Sequence, residues 1–181
     1  MQVYFVRHGQ TEYNQKKLAT GGIDIPLTIE GIKQIEDITS KIPSTITAIY
    51  SSDLIRCKQT ADIINKNLNV PITYDARLRG RSFGMLEGTP LEDFDQKLCE
   101  RDKEQRYDYR PFGGESIDQV TSRLISLLKE LHKRDDDTIL VVTSGAIIRL
   151  LHNAINKQVI EVIHNSSLHV FDIATLLENQ S

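Results

Sequence analysis

Cysteine is scarce in this 181-residue chain, and so are long apolar runs and any excess of charge of one sign. The two cysteines, Cys57 and Cys99, are too few for a disulfide framework or a zinc site. No apolar stretch reaches the roughly 18 residues that span a bilayer, and the first residues lack the basic and apolar regions of a secretion signal. We therefore expect a cytoplasmic protein with no membrane partner.

The net charge of −3 gives no reason to expect nucleic acid or an anionic membrane surface as a partner. An anionic ligand would need a local cluster of arginines, because the field of the whole chain does not attract it. The hydrophobic content of 39% and the charged content of 26% are ordinary for a globular protein. The length suits one unit, so residues 1–181 are expected to form a single domain.

Short β-rich runs alternate with helical patterns along the chain. Strands are predicted at residues 2–6, 46–50, 138–143 and 168–173, and helices at 28–40, 53–68, 116–133 and 146–155. Thr28 and the Ser116-x-x-Gln119 pattern supply helix caps, and residues 51–53 offer further capping groups. This alternation predicts an α/β fold, a three-layer α/β/α sandwich around a mainly parallel sheet.

Two segments depart from this regular alternation. Residues 71–115 are rich in Gly, Arg and acidic residues, so we expect one or two short helices there, with residues 79–115 forming a mobile, less regular cover. Three consecutive aspartates at 135–137 predict a solvated turn in preference to a metal site.

Three predicted strands end in polar residues, at Arg7-His8-Gly9, at residues 51–56, which include Arg56, and at Thr143-Ser144-Gly145. Ligands of parallel sheets bind beyond the carboxyl ends of the strands, so these residues are expected to converge. An imidazole can attack phosphorus, and arginines bind phosphate oxygens. Arg56 also lies in a first helical turn, which favours an anion. Read alone, Arg7-His8-Gly9 is better explained by structural ion pairs and a packed histidine.

A longer pattern changes that balance. Five ordered blocks resemble the histidine phosphatase superfamily, which has the phosphoglycerate-mutase-like fold: residues 7–31, 50–61, 78–88, 113–116 and 141–149. The resemblance covers nearly the whole chain and favours the short phosphatase branch.

The resemblance implies a role for each matching residue. His8 would be the nucleophile that becomes phosphorylated, and Arg7 and Arg56 would clamp the phosphate. The substrate-binding positions would be Asn14, Thr20, Gly21 and Gly145. No metal and no other cofactor is implied. The expected ligand is a small phosphorylated metabolite or phosphate, and a homodimer is one assembly left open.

Two positions in catalytic blocks depart from the family pattern. Ser144 stands where the family has its second histidine, and Gly80 stands where it has its acidic proton donor. Loss of a general acid costs roughly 10²–10⁴ in rate. Glu87 and Glu115 are carboxylates nearby in sequence, but each belongs to its own block, so recruitment is the less favoured explanation. His152, eight residues after Ser144 on a predicted helix, would lie roughly 12 Å away.

The sequence thus favours a phosphomonoester hydrolase scaffold that is impaired or silenced. It leaves open an engineered inactive form, a natural pseudophosphatase that binds phospho-ligands, and a weak enzyme with a reassigned acid. A phosphoglycerate-mutase-type phosphoryl transferase is the third functional class, disfavoured because only 24 residues separate Gly88 from Gly113. The basic residues in that segment predict either a lid for a multiply charged substrate or, as we prefer, a solvated face: Lys97, Arg101, Lys103, Arg106 and Arg110.

Overall fold

The computed structural model describes residues 1–134 and 138–178 of the chain. Within these ranges the strands are β1 (Gln2–Arg7), β2 (Ala48–Ser51), β3 (Ile72–Tyr74), β4 (Ile139–Thr143) and β5 (Leu168–Asp172). The α-helices are α1 (Glu12–Gln15), α2 (Ile29–Ile38), α3 (Ile55–Leu68), α4 (Gln96–Lys103), α5 (Ile117–Leu131), α6 (Gly145–Asn156) and α7 (Ile173–Glu178). The turn predicted at residues 135–137 lies outside the described residues.

The strands form one sheet in the order β3-β2-β4-β1-β5. The first four strands are parallel, and β5 runs antiparallel to β1. Arg7 pairs in register with Thr143, and Ser51 pairs with Val142, so β1, β2 and β4 end at nearly the same level. The predicted α/β fold with a mainly parallel sheet is confirmed, and the three strand ends that carry the predicted site residues are neighbours.

Alternate side chains of β1 and β4 pack into two separate apolar layers. Phe5 and Val141 pack in a core cluster with residues of α5, α6 and α7, whereas Val6 and Val142 pack with residues of α2 and α3. Cys57 belongs to the second cluster, and burial raises the pKa of its thiol to about 11. It is therefore a core side chain, as its helical spacing predicts.

Helix caps were predicted in part. Thr28 accepts a hydrogen bond from the Gly31 N–H at 3.0 Å, and Ser116 and Gln119 form a reciprocal capping box. Residues 51–53 supply no side-chain cap to α3. Asp53 instead pairs with Arg79 at 2.6 Å, and the Ser52 hydroxyl accepts from the Leu54 N–H just before the helix.

The α3 helix begins at Ile55, whose N–H donates to Asp24 Oδ1 at 2.6 Å. The cap is therefore supplied from a distant loop, which local sequence does not reveal.

The irregular segment is more structured than the sequence indicates. It contains β3, the helix α4 and short 3₁₀ turns, among them Gly84–Leu86 and Leu91–Asp93. Three short elements, α1, β3 and α7, were not predicted, because four, three and six residues are too few to show a period. Among the described residues, no helix is both long and apolar enough to cross a membrane.

Candidate active site

A pocket of about 220 Å³ opens at the carboxyl ends of β1 and β4 and beside the start of α3. Its lining includes all nine residues singled out from the sequence: Arg7, His8, Asn14, Thr20, Gly21, Arg56, Gly80, Ser144 and Gly145. The lining also contains residues to which the sequence assigned no role, among them Arg81, Phe83, Arg149 and Glu161.

His8 follows β1 and is 3% exposed. Its Nδ1 lies 2.8 Å from the Gly9 carbonyl oxygen, which can only accept, so Nδ1 carries the proton and Nε2 the lone pair. Burial, together with Arg56 and Arg7, holds the pKa of His8 well below its usual value. The imidazole is therefore neutral near pH 7 and has one nitrogen available for bonding.

Arg56 is held from two directions by the loop that follows α1. Its guanidinium donates to the Ile23 carbonyl at 2.7 Å and to the Gly21 carbonyl at 2.9 Å. Gly21 has a positive φ of +50°, and a Cβ there would lie 2.1 Å from Glu87 Oε1. A side chain at position 21 would collide with Glu87, so glycine lets the loop that binds Arg56 lie directly against Glu87.

The pocket is electropositive although the chain is net acidic. Burial and the guanidinium groups of Arg56 and Arg149 lower the pKa of Arg7 to about 10. Among the described residues, no hydrogen-bond partner reaches the buried Nε atoms of Arg7, Arg56 and Arg149. Buried donors are ordinarily satisfied, so these groups suit an anionic ligand.

Arg81 and Arg149 are tied together by a buried carboxylate. Asp102, on α4, accepts from Arg81 at 2.6 Å, from Arg149, and from the Tyr109 hydroxyl at 2.7 Å. The Arg81 guanidinium also lies 4.6 Å above the ring of Phe83. This Arg81–Asp102–Arg149 cluster connects the cover to the wall of the pocket.

Further backbone and side-chain contacts fix the entrance. Asn14 Oδ1 accepts from the Thr11 N–H and from Asn165 Nδ2, each at 3.1 Å, and the same Asn165 nitrogen donates to the His8 carbonyl at 3.0 Å. A Cβ on Gly145 would lie 3.3 Å from Arg7 Nε, so the first residue of α6 packs closely against Arg7.

The two positions that depart from the family pattern face each other. A Cβ built on Gly80 would lie 2.7 Å from Ser144 Oγ and 3.1 Å from Ser144 Cβ. The Ser144 hydroxyl is buried and has no hydrogen-bond partner among the described residues, and it makes no side-chain cap to α6. The expected acid and the expected second histidine would therefore have occupied adjoining space.

The nearby carboxylates are committed to structural contacts. Glu87 Oε1 accepts from the Ser82 hydroxyl and the Gly22 N–H, both at 2.9 Å. Glu115 pairs with Arg123 at 2.8 Å. Both belong to the frame of the cover, which disfavours their recruitment as the acid.

The remaining predicted alternatives also lie elsewhere. His152, on α6, has its Nε2 2.9 Å from Nδ1 of His169 on β5. His152 does not line the pocket. Lys103, Arg106 and Arg110 pair with Glu161, Glu104 and Asp108, and all three cations are more than half exposed. The described basic residues of that segment form a solvated face, as preferred above.

Comparison with known proteins decides the family. Residues 3–176 match the family model of the histidine phosphatase superfamily, branch 1. This chain belongs to the histidine phosphatase superfamily.

Relatives within the histidine phosphatase superfamily carry phosphatase and mutase names. The chain is 42% identical over 124 residues to the fructose-2,6-bisphosphatase TIGAR of Xenopus tropicalis, covering 65% of this chain and 45% of that protein. It is 37% identical over 136 residues to the probable phosphoglycerate mutase GpmB of Salmonella paratyphi A, covering 71% and 61%. The match thus spans about half the length of these curated relatives.

A solved structure supports the same fold. The phosphoglycerate mutase of Thermus thermophilus superposes with a TM-score of 0.81 at 28% identity, covering 95% of this chain and 93% of that one. The histidine phosphatase fold therefore extends over nearly the whole of this chain.

Proposed function

We propose that this chain has a phosphomonoester hydrolase site that acts through a phosphohistidine at His8. The observation that carries the proposal is the buried, neutral imidazole, whose Nδ1 is bound by the Gly9 carbonyl while its neighbours Arg7 and Arg56 are cationic. Such an imidazole is a nucleophile poised beside donors for a phosphoryl group. The ligand is a small phosphorylated metabolite or phosphate.

In the first step the phosphoryl oxygens bind between the guanidinium groups of Arg7 and Arg56. The Nε2 lone pair of His8 attacks phosphorus, the bond to the ester oxygen breaks, and that oxygen leaves with the electron pair. The fixed guanidinium donors stabilise the charge on the equatorial oxygens, and the Asn14 amide nitrogen is the end of that side chain left to donate. The Gly9 carbonyl stabilises the positive charge that develops on the ring.

In the second step water attacks the phosphorus of phospho-His8 and releases phosphate. The bond between phosphorus and Nε2 breaks, the imidazole recovers its lone pair, and the water proton passes to solvent. The helix α6 begins at Gly145 on the pocket wall, and its dipole favours the anion in both steps.

Gly80 and Ser144 impair this cycle for ordinary alcohol esters. Gly80 supplies no proton, and the Ser144 hydroxyl supplies a hydrogen bond without charge. We expect the missing acid to lower the turnover rate of such esters by a factor of roughly 10²–10⁴. The same adjoining pair favours a second candidate, a pseudophosphatase that binds phospho-ligands without turnover. The mutase class is less favoured, because the basic residues of the cover are solvated or paired with acids.

One comparison separates the first two candidates. The unaltered chain and the Gly80→Glu/Ser144→His double variant are assayed against a panel of phosphomonoesters, with His8→Asn in each background as the control. If only the double variant hydrolyses esters, the site is a silenced phosphatase. If both stay inert while inorganic phosphate still binds, the pseudophosphatase is the better description. Turnover by the unaltered chain at ordinary enzyme rates contradicts the impairment.

The single domain, the mobility of the cover, the cytoplasmic location and a homodimeric assembly stay predictions from the sequence. Size-exclusion chromatography with light scattering measures the last of these directly.

A further inference from the structure

The described lining of the pocket contains no buried carboxyl group that could protonate a leaving oxygen. Among its described lining residues Glu161 is the one carboxylate, and it is 67% exposed and lies 3.5 Å from Lys103. Burial opposes ionisation of Asp102, but Arg81 and Arg149 outweigh it and keep the pKa of that carboxyl below its usual value. The Tyr109 hydroxyl donates to Asp102, and burial raises its pKa. Neither Asp102 nor Tyr109 therefore offers an acidic proton near pH 7.

The Ser144 hydroxyl does not replace the missing proton donor. A Cβ at Gly80 would be within 2.7 Å of Ser144 Oγ, so the hydroxyl borders the position of the absent acid. A serine hydroxyl can hydrogen-bond to a departing oxygen. It does not gain by giving up its proton to an alkoxide, because the serine alkoxide that would form is about as basic.

The pocket instead provides donors that stabilise an oxygen leaving as an anion. Arg149 lies one helical turn beyond Gly145, and its NH1 and NH2 donate to the Glu161 carbonyl and to Asp102. Its Nε is buried and lacks a partner in the described structure, as does the Ser144 hydroxyl. A carboxylate or phosphate leaving group would accept from these donors in charge-assisted hydrogen bonds.

We infer that the site selects phosphoryl donors with weakly basic leaving groups, namely acyl phosphates and phosphoanhydrides, over phosphate esters of alcohols. This inference rests on the proposed phosphohistidine function. In its first step Nε2 of His8 forms a bond to phosphorus, the bond from phosphorus to the leaving oxygen breaks, and the oxyanion departs without a proton. Water then releases phosphate from His8, with its proton taken by solvent.

The test measures kcat/KM, which reports phosphorylation of His8, with the unaltered chain. The donors are acetyl phosphate, 4-nitrophenyl phosphate, phenyl phosphate and glycerol 1-phosphate. We expect a steep fall from the first two donors to the last. Equal values for the nitrophenyl and glycerol esters would overturn the inference.

Two variants at position 80 isolate the missing proton. Gly80→Glu adds a carboxyl group, and Gly80→Gln adds the same length and the same Cβ contact with Ser144 but no acidic proton. The Glu variant should exceed the Gln variant by about 10²–10⁴ with glycerol 1-phosphate and by only a few-fold with 4-nitrophenyl phosphate. A similar ratio for both donors would contradict the inference.

The rate at which His8 gains an acid-labile phosphoryl group separates the leaving-group inference from the proposed phosphohistidine function. If acetyl phosphate and glycerol 1-phosphate label His8 at the same rate, the proposed function survives and the leaving-group inference fails. If no donor labels His8, both fail.

Discussion

Replacing Asp102 with asparagine should destabilise the fold strongly. This aspartate is 8% exposed and accepts from Arg81, Arg149 and the Tyr109 hydroxyl. Asp102→Asn retains the shape of the side chain but leaves two largely buried guanidinium groups, 11% and 13% exposed, without this counter-charge. It also weakens the attachment of α4 to the pocket wall.

The expected loss follows from the cost of breaking a buried ion pair, about 3–5 kcal/mol in the free energy of unfolding. A chain of this size changes its Tm by about 2–4 °C for each kcal/mol, so a fall of about 6–20 °C is expected. Urea denaturation followed by circular dichroism gives the free energy, and a thermal scan gives Tm. Asp93→Asn is the matched control, because Asp93 is an exposed aspartate of the same cover.

The pH dependence provides a second readout. Because the folded-state pKa of Asp102 is below the ordinary value of 3.8, its stabilisation is complete above that pH and is lost as the pH falls through the folded pKa. The parent and Asp102→Asn should therefore converge in strong acid. A loss at pH 7 within about 1 kcal/mol of that of Asp93→Asn would refute the importance of the buried cluster.

Three further outcomes are expected. Arg56→Lys keeps the positive charge but loses the planar guanidinium that donates to two loop carbonyls. Calorimetry should therefore show inorganic phosphate binding about 10–150-fold more weakly. The exposed control Arg101→Lys should bind phosphate as the parent does. His8 should remain neutral with Nδ1 protonated in a ¹⁵N NMR titration through pH 6.5, and protonation midway at that pH would contradict its burial. Burial lowers the folded-state pKa values of His152 and His169, the latter to about 4. The free energy of unfolding, measured by urea denaturation, should therefore fall as the pH drops from 6.5 toward 4. His169→Asn should make this pH dependence shallower, and an unchanged pH dependence would contradict the pairing of the two rings.

The parts of the site that could be predicted are those carried by contiguous residues at strand ends. Arg7 ends β1, His8 follows it, and Ser144 follows β4, so the parallel topology alone brings them together. Thr28 could also be predicted as a helix cap, because its partner Gly31 is only three residues away. Local patterns succeed where both partners lie within one turn or at neighbouring strand ends.

The parts that were missed depend on distant partners. Arg149 faces the pocket because it is one turn beyond Gly145, a spacing that could have indicated it, but its partner Asp102 is 47 residues away. Residues 51–53 were predicted to offer caps for α3, but Asp53 instead pairs with Arg79, 26 residues along the chain. Contacts of this kind are decided by tertiary packing.

The most direct test of the central claim is chemical trapping of the phosphoenzyme. The unaltered chain is incubated with acetyl phosphate, quenched in alkali and mapped by mass spectrometry of its peptides. The account predicts an acid-labile phosphoryl group on the peptide that carries His8, and its loss in His8→Asn. Stable label on another residue, or an unlabelled His8 in a chain that binds phosphate normally, would contradict the account.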